Sequence, residues 1–406
     1  MLKEELRQIV LQQSEQLSSF NYGTERASLK ETDILPGIAL IVSGPRRSGK
    51  STFLQQLRKR IPNSHYFNFD EPKTAGFEVE DFERLEEVFS EEFGKSDYYF
   101  FDEIQNVNKW ELYIRKLSDA KKKVVITGSN ASLLSRELGT RLTGRHLRQN
   151  IFPFSFEEFL ALEKKTPSAS TFGEYLEKGG FPEYLTLKKT SLLQEMLNNV
   201  LARDIVVRHE LRESETIKEM TVYLLSNVGK EFSYNSLKKT FELGSVNTAI
   251  AFVSYLEDSY LIFTVKRFDY SLKKRIVAPK KVYSIDNGLA SANTASFSKD
   301  KGRMLENAVF LHLRRKNEQV FYFKEKGECD FVFKEKEKIA GAIQACYSLT
   351  QDNLKREVSG LVEALKKFKL KKGLIITYNQ EDRLEEEGKE MIVKPAWKWM
   401  TEKQGS

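Results

Sequence analysis

The chain of 406 residues has only two cysteines, Cys329 and Cys346. A disulfide framework needs several cysteines, and a zinc site needs ligands at a short, repeated spacing. Two cysteines without such a spacing argue against both. We therefore expect a reducing compartment, in which both thiols are buried and inert.

Long apolar runs are also lacking. No run in the sequence approaches the roughly eighteen residues that span a bilayer. The first residues, Met1 to Arg7, are charged and contain no apolar signal region. The sequence has no low-complexity segment and no internal repeat. From these absences we expect a cytoplasmic protein with no membrane association.

The composition that is present indicates a folded protein with ordinary cores, since 40% of the residues are hydrophobic and 30% are charged. The length suits two or three domains. The net charge of +7 is concentrated in one segment, Tyr260 to Tyr283, in which seven basic residues stand against Asp269 alone. The seven are Lys266, Arg267, Lys273, Lys274, Arg275, Lys280 and Lys281.

The segment from Gly44 to Ser51 fits the pattern G-x-x-x-x-G-K-[ST] of a phosphate-binding loop. An apolar strand at 38–42 leads into it and a helix at 51–57 leads out, as this chemistry requires. The backbone N–H groups of such a loop, together with the helix N-terminus, can hold phosphate oxygens. Lys50 would reach the β- and γ-phosphates, and the Ser51 hydroxyl would bind Mg²⁺.

A second motif, Asp102-Glu103, ends an apolar strand that begins at Tyr98. Active residues collect at the carboxyl ends of parallel strands. Asp102 would hold Mg²⁺, and Glu103 would orient and deprotonate the attacking water. Another apolar strand, 65–69, lies between the two motifs along the chain. That order suits nucleotide hydrolases that place a further strand between the two motif strands.

Polar residues follow the next predicted strand, 123–127. Ser129 and Asn130 could sense the γ-phosphate, or they could be an N-cap for a helix at 131–138, and the two interpretations are not exclusive. Arg145, and less strongly Arg141, could stabilise transition-state charge in the same chain or in a neighbour. The alternative is an ordinary solvated or structural arginine.

These motifs, followed by Phe152-Pro153-Phe154-Ser155-Phe156-Glu157-Glu158-Phe159, resemble the prokaryotic AAA-type ATPases. The resemblance is closest to the branch that has a C-terminal domain of unknown function. It implies an α/β P-loop NTPase core of the AAA/ASCE type, with ATP and Mg²⁺ as cofactors and ATP preferred over GTP. The predicted ATP-binding residues are Gly44, Pro45, Arg46, Arg47, Ser48, Gly49, Lys50, Ser51, Thr52 and Ser129.

Three further motifs extend the resemblance without indicating any chemistry. They are 179–182 (Gly-Gly-Phe-Pro), 203–205 (Arg-Asp-Ile) and 283–289, which begins at Tyr283. After residue 154 the pattern is helical as far as 213, and in this class such a segment usually packs as a lid on the nucleotide core.

Residues 214–290 have the order helix, short helix, turn, helix and hairpin, which describes a winged helix-turn-helix. The basic stretch 260–283 falls on its wing, where it could contact DNA phosphate. The helix that would read bases, 245–257, contains no lysine or arginine, so base contacts would depend on Ser245, Asn247 and Thr248. Winged helices also bind and pack against proteins, so a protein partner remains the alternative.

Residues 300–400 resemble a restriction-endonuclease-like α/β module. In that fold a helix glutamate, a strand aspartate and a Glu-x-Lys bind metal and activate water. Glu306 and Asp330 match, but Gln344-Ala345-Cys346 stands where Glu-x-Lys belongs. Glutamine brings no charge to a hard cation, and a thiol does not replace the ammonium. We therefore predict a binding or structural role for this module.

The sequence thus predicts an N-terminal helical extension (1–36), an ATPase core (37–153), a helical lid (154–213), a winged helix (214–290) and a nuclease-like module (300–400). The predicted function is Mg²⁺-dependent ATP hydrolysis coupled to an output module. The catalytic residues would be Glu103 and Arg145, and Ser51 and Asp102 would bind the metal. The alternatives are a DNA-binding regulator that uses ATP as a conformational ligand and an ATP-licensed nuclease. Self-association is open.

Overall fold

The computed structural model describes residues 1–128 and 144–402. The chain divides into two compact units, residues 1–152 and 153–406, and each is described by itself. The predicted helix at 131–138, together with Ser129, Asn130 and Arg141, lies outside the described residues.

The first unit is built on a five-stranded parallel sheet with the order β2-β3-β4-β1-β5. Its strands are β1 (Ala39–Ser43), β2 (His65–Asn68), β3 (Tyr98–Asp102), β4 (Lys123–Gly128) and β5 (His146–Asn150). In the sheet the strand between the two motif strands β1 and β3 is therefore β4, which follows both of them along the chain. Strand β2 lies at the edge beyond β3.

Helices cover both faces of this sheet. They are α1 (Lys3–Ser18), α2 (Lys50–Arg58), α3 (Asp81–Phe93) and α4 (Trp110–Asp119). Successive side chains of a strand point to opposite faces. Accordingly, Ile41 packs with α1, α3 and α4 on one face, whereas Leu40 packs with α2 on the other. Helix α1 contributes Leu6, Ile9 and Val10 to the first of these cores.

The second unit begins with helices and contains two sheets. Its helices are α5 (Phe156–Glu163), α6 (Ala169–Lys178), α7 (Pro182–Leu187), α8 (Ser191–Asn199), a π-helical turn (Val200–Val207), α9 (Ser214–Ser226), α10 (Tyr234–Thr240), α11 (Val246–Asp258), α12 (Leu272–Val277), α13 (Asn287–Asn293), α14 (Lys301–Lys316), α15 (Gln351–Lys367) and α16 (Ala396–Trp399). Among the described residues, no helix is long and apolar enough to cross a membrane.

The smaller sheet is antiparallel, with the order β6-β8-β7. It comprises β6 (Glu231–Phe232), β7 (Ile262–Lys266) and β8 (Lys280–Ser284). The larger sheet is mixed and has the order β13-β14-β12-β11-β10-β9. It comprises β9 (Val320–Lys324), β10 (Glu328–Glu335), β11 (Lys338–Ala345), β12 (Lys372–Thr377), β13 (Asp382–Glu386) and β14 (Lys389–Pro395).

The elements that the sequence did not predict are mostly polar. Strand β5 reads His-Leu-Arg-Gln-Asn and β13 reads Asp-Arg-Leu-Glu-Glu, and both are edge strands of their sheets. An edge strand is paired on one side and contacts solvent on the other. These two strands therefore lack the apolar pattern by which buried strands are recognised. Helix α12 was likewise missed: it has no buried residue and lies inside the basic stretch.

Candidate nucleotide-binding site

The glycine loop joins β1 to α2 and requires glycine at two positions. Gly49 has φ 90° and is the N-cap of α2, a conformation that favours glycine. A Cβ on Gly44 would lie 2.2 Å from the carbonyl oxygen of Ile151, so the chain after β5 runs against the loop with no room for a side chain. The loop therefore sits at the carboxyl edge of the sheet, beside the ends of β1 and β5.

Lys50 is 5% exposed and extends over this loop. Its Nζ donates hydrogen bonds to the carbonyl oxygens of Gly44, at 3.2 Å, and Pro45, at 3.0 Å. The Ser48 hydroxyl is buried and makes no hydrogen bond to the described residues. The loop thus concentrates a buried ammonium, a buried hydroxyl and the N-terminus of α2 in one place, and each of these favours an anion.

Asp102 ends β3 and is 2% exposed. One of its carboxylate oxygens accepts a hydrogen bond from the Thr127 hydroxyl at the end of β4, and the nearby Ser51 hydroxyl acts to lower the pKa of the same carboxylate. Burial raises the pKa of Asp102 above its ordinary value. The charge of Glu103 acts in the same direction, while the two hydroxyls and the Lys50 charge oppose it. The structure therefore brings Lys50, Ser51 and Asp102 together, as the sequence predicted.

Glu103 follows at the sheet edge in a left-handed conformation, with φ 51° and ψ 45°. A non-glycine residue adopts this conformation at a cost of roughly 1–2 kcal/mol, and such strain clusters at functional sites. The Glu103 N–H donates to the Thr127 hydroxyl at 2.9 Å, and its carboxylate accepts from the Gln105 side chain. The turn thus directs the glutamate away from the strand direction immediately after Asp102.

Thr127 is a site residue that the sequence reasoning did not select. It is fully buried, and its hydroxyl links the Asp102 carboxylate to the Glu103 backbone. A hydroxyl at the end of an otherwise apolar strand was the available signal. Asn150 is a second such residue: its side-chain oxygen accepts from the Ser43 hydroxyl at 3.0 Å, where β5 ends beside β1.

Arg145 lies elsewhere. Its carbonyl oxygen accepts from the N–H of Ala39 at 3.1 Å, at the amino end of β1, and its guanidinium pairs with Asp119. Because β5 is parallel to β1, the residue before β5 lies at the edge of the sheet opposite the glycine loop. The structure does not bring Arg145 to Asp102 or Glu103 of its own chain, and a role towards a neighbouring chain stays a prediction. Ser129 lies outside the described residues.

In the second unit, two of the motifs without known chemistry pack against each other. The Asp286 carboxylate accepts from the N–H groups of Gly180, at 2.6 Å, and Leu289, at 2.9 Å. A Cβ on Gly179 would lie 2.2 Å from this carboxylate, and one on Gly288 would lie 2.1 Å from the carbonyl oxygen of Lys178. The glycines are therefore needed for close approach, and the two motifs form one structural unit.

Glu306 and Asp330 of the nuclease-like pattern also lie close together, and a lysine lies between them. The Lys281 Nζ is 2.9 Å from Asp330 Oδ1 and 3.2 Å from Glu306 Oε1. The Gln344 side-chain amide donates to Glu357 at 2.7 Å. Because it is uncharged, it adds no charge beside Glu306 and Asp330. Cys346 and Cys329 are free and buried, as predicted, and burial raises the pKa of Cys346 to about 11.

The basic stretch is divided by burial. Lys280 and Lys281 on β8 are 7% and 3% exposed, and the Lys280 ammonium lies over the Tyr234 ring. Lys273 and Lys274 on α12 are exposed. Two of the seven basic residues are therefore unable to contact a phosphate backbone, which reduces the charge that the segment offers to a partner.

Comparisons with known proteins agree with this site. Residues 37–160 match the family described as "AAA domain", and residues 169–300 match a domain of unknown function (DUF8612). The glycine loop, Asp102 and the five strands of the parallel sheet all lie within the first match. Residues 37–160 are thus similar to the AAA domain of P-loop proteins.

Similarity over most of the chain then identifies a narrower family. It is 34% identical to the uncharacterized protein MJ1544 of Methanocaldococcus jannaschii, over 91% of this chain and 89% of that protein. It is 28% identical to an uncharacterized protein of Haemophilus influenzae, over 94% of this chain and 98% of that protein. The chain belongs to the family of MJ1544.

Two solved structures are more distantly similar. AMPPCP-bound DnaA from Aquifex aeolicus has a TM-score of 0.30 and 16% identity, and the match covers 57% of this chain and 84% of that one. Cdc6p from Pyrobaculum aerophilum has a TM-score of 0.23 and 11% identity, over 67% of this chain and 88% of that one.

Proposed function

We propose that residues 37–153 bind ATP with Mg²⁺ and hydrolyse its β–γ bond. The observation that carries this proposal is the buried Asp102 carboxylate, which accepts a hydrogen bond from Thr127, lies near Ser51 and Lys50 of the glycine loop, and is followed at once by Glu103. A regulator that only binds nucleotide needs the loop. It has no need for a second carboxylate held at the sheet edge by a strained backbone turn.

Each residue has a distinct task in this proposal. The loop N–H groups and Lys50 hold the phosphates, and Ser51 and Asp102 hold the metal. The bound Mg²⁺ would neutralise charge on the β- and γ-phosphates. Glu103 accepts the proton of the attacking water, and it is more exposed than Asp102. Thr127 is a positioning residue, because it fixes Asp102 and the Glu103 backbone relative to each other.

Two substitutions separate binding from turnover. Lys50→Ala removes the phosphate-binding ammonium, so we expect weakened ATP binding and no hydrolysis. Glu103→Gln keeps the size of the side chain and removes the base, so we expect normal ATP binding and a kcat lowered about 10²–10⁴-fold. Radiolabelled ATP binding and phosphate release measure the two effects. Full turnover by the Glu103→Gln protein would contradict the assigned role.

A second candidate function is contact with nucleic acid, which we propose for the winged helix at 214–290. The exposed Lys273 and Lys274 support it, and so does a nearby groove of about 690 Å³. Five basic residues of that groove stand against Asp269 and Glu337, which leaves it positive and suited to phosphate. The five are Arg275, Lys334, Lys338, Lys367 and Lys369.

Contacts of this kind would depend little on base sequence. In helix α11, the candidate for base reading, the Ser245 hydroxyl accepts from the Thr248 N–H, and the two hydroxyls lie 3.0 Å apart. Both are thereby engaged in the helix cap, and Asn247 is the exposed polar residue beside them. Phosphate contacts position a protein on DNA without carrying sequence information.

For residues 300–400 we propose a nuclease-like module that does not cut nucleic acid. Gln344 is engaged with Glu357, and Cys346 has a raised pKa, so neither supplies the charge that metal-dependent cleavage needs. The module then serves as a binding or output domain for the ATPase.

A further inference from the structure

Lys281 is buried among three acidic side chains, two from β10 and one from α14. Its side chain is 3% exposed, and its Nζ lies 2.8 Å from Glu328 Oε1, 2.9 Å from Asp330 Oδ1 and 3.2 Å from Glu306 Oε1. An ammonium has three N–H donors, and here it donates hydrogen bonds to Glu306 and Asp330 and forms an ion pair with Glu328. Lysine is almost never fully buried unless it is paired in this way.

The carboxylates have further donors on the protein. The Tyr283 hydroxyl donates to Glu306 at 2.7 Å, and the Ala345 N–H donates to Asp330 Oδ2 at 3.0 Å. Lys324 pairs with the other oxygen of Glu328 at 3.0 Å. The three acids are therefore oriented inward by their own hydrogen bonds, and the Lys281 ammonium is the one cation on which all three converge.

We propose that Glu306, Glu328 and Asp330 form a cation site whose resident cation is the Lys281 ammonium. This ammonium excludes divalent metal from the C-terminal module. The distances of 2.8–3.2 Å are those of N–H···O bonds, whereas Mg²⁺ and Ca²⁺ need oxygens at about 2.0–2.6 Å. A metal could enter only by displacing an ammonium that would then be buried without acceptors.

The inference deepens the proposal that residues 300–400 do not cut nucleic acid, and it adds the physical reason. It also gives Lys281 a second task, since the ammonium ties β8 to β10 and α14. Shortening this side chain should leave three inward-facing carboxylates around an open space. The site would then have the charge and the room for a divalent cation.

The test uses the full chain without nucleotide and Mn²⁺ as the probe. Lys281→Ala should lower the Tm relative to wild type, because the three carboxylates, of which Asp330 is buried, lose their shared counter-ion. Mn²⁺ at a hundredfold excess over its Kd should then raise the Tm of this variant by roughly 5–10 °C. Wild type should show no such rise.

Two controls isolate the site. Lys281→Met removes the charge but fills the space, and Lys281→Ala/Asp330→Asn removes a ligand, so Mn²⁺ should rescue neither. If Mn²⁺ leaves the Tm of Lys281→Ala unchanged, the proposal is wrong. A paramagnetic resonance titration of wild type decides the matter even if Lys281→Ala fails to fold. Bound Mn²⁺ that disappears in Asp330→Asn would overturn the proposal, and the absence of such binding supports it. Because no nucleotide is present, failure of the ATPase proposal would not change these results.

Discussion

At the scale of single residues, the nucleotide site depends on a hydroxyl that joins two carboxylate residues. Thr127 donates to Asp102 and accepts from the Glu103 N–H, so it holds the proposed metal ligand and the proposed base in one geometry. Partners of metal ligands are commonly needed for full affinity or activity, by factors of about 10–100. Thr127 is therefore expected to matter through its two partners, Asp102 and Glu103.

Thr127→Val keeps the shape of this side chain and removes the hydroxyl. We expect kcat/KM for ATP to fall about 10–100-fold. In wild type the hydrogen bond from Thr127 lowers the pKa of Asp102. Its loss should raise this pKa, so the acid limb of the pH–rate profile should move to higher pH. Thr221→Val is a matched control, since Thr221 is fully buried in the other unit and its hydroxyl bonds to Ile217. An unshifted acid limb would contradict the positioning role.

Asp286 shows how a buried acid makes stability depend on pH. Burial raises the pKa of this carboxyl to about 6 from its ordinary 3.8. The folded state therefore binds this proton more tightly than the unfolded state does. The stabilisation is fully present below about pH 4 and is lost as the pH rises through about 6.

Asp286→Asn removes this titration. Between pH 4 and 7 the free energy of unfolding of wild type should fall, relative to Asp286→Asn, by about 3 kcal/mol, since each unit of pKa shift corresponds to about 1.4 kcal/mol. Denaturant unfolding at a series of pH values measures the difference. Parallel pH profiles for the two proteins would show that the carboxyl is not shifted. A relative rise with pH would show that hydrogen bonds to the carboxylate outweigh its burial.

At the scale of elements, the segment around α12 is a part of residues 214–290 with exposed basic side chains. Lys273 and Lys274 on α12 are exposed, whereas Lys280 and Lys281 on the adjoining strand are enclosed. The apolar residues Leu272, Ile276 and Val277 of the same helix are also exposed. A protein partner would use those apolar residues, whereas nucleic acid would use the lysines, so the two partners are separable by mutation.

Replacing Lys273 and Lys274 by alanine should weaken DNA binding almost equally for different sequences. It should reduce the slope of log K against log salt by up to about two, because each phosphate contact contributes about 0.9. Fluorescence anisotropy at several salt concentrations gives the slope. Lys188→Ala/Lys189→Ala, which removes two exposed lysines elsewhere in the unit, is the matched control. Equal slopes for all three proteins would assign α12 to another partner.

At the scale of the whole molecule, the chain combines one proposed divalent-cation site with one site that holds an ammonium instead. The first contains Ser51 and Asp102, and the second contains Lys281 among its carboxylates. Any Mg²⁺ dependence of the full chain should therefore come from nucleotide.

We expect no cleavage of supercoiled plasmid or of single strands by the full chain, with Mg²⁺ or Mn²⁺ and with or without ATP. The reason is that no lysine follows Gln344 at the position where the metal-bound water would be oriented, and the carboxylates already hold an ammonium. Gel electrophoresis after prolonged incubation is the measurement. Cleavage that vanishes in Asp330→Ala would establish a working nuclease.

Features that depend on local spacing could be predicted from short stretches of the sequence. The glycine loop needs eight consecutive residues between a strand and a helix, and the Asp102-Glu103 pair needs only the end of an apolar strand. Backbone geometry follows directly from such short patterns, so these motifs lie where they were predicted. The apolar residues of helix α3 likewise recur at helical spacing, which is a local signal of the same kind.

Only the tertiary structure decided which distant residues meet. Lys281 and Asp330 are 49 residues apart, and nothing in the basic stretch distinguished the buried lysine from its exposed neighbours. Because β5 pairs in parallel with β1, Arg145 lies at the edge of the sheet opposite the glycine loop. Thr127 became a site residue because β4 lies beside β3. These outcomes depend on strand order and burial, which arise when the whole chain packs and which no short segment specifies.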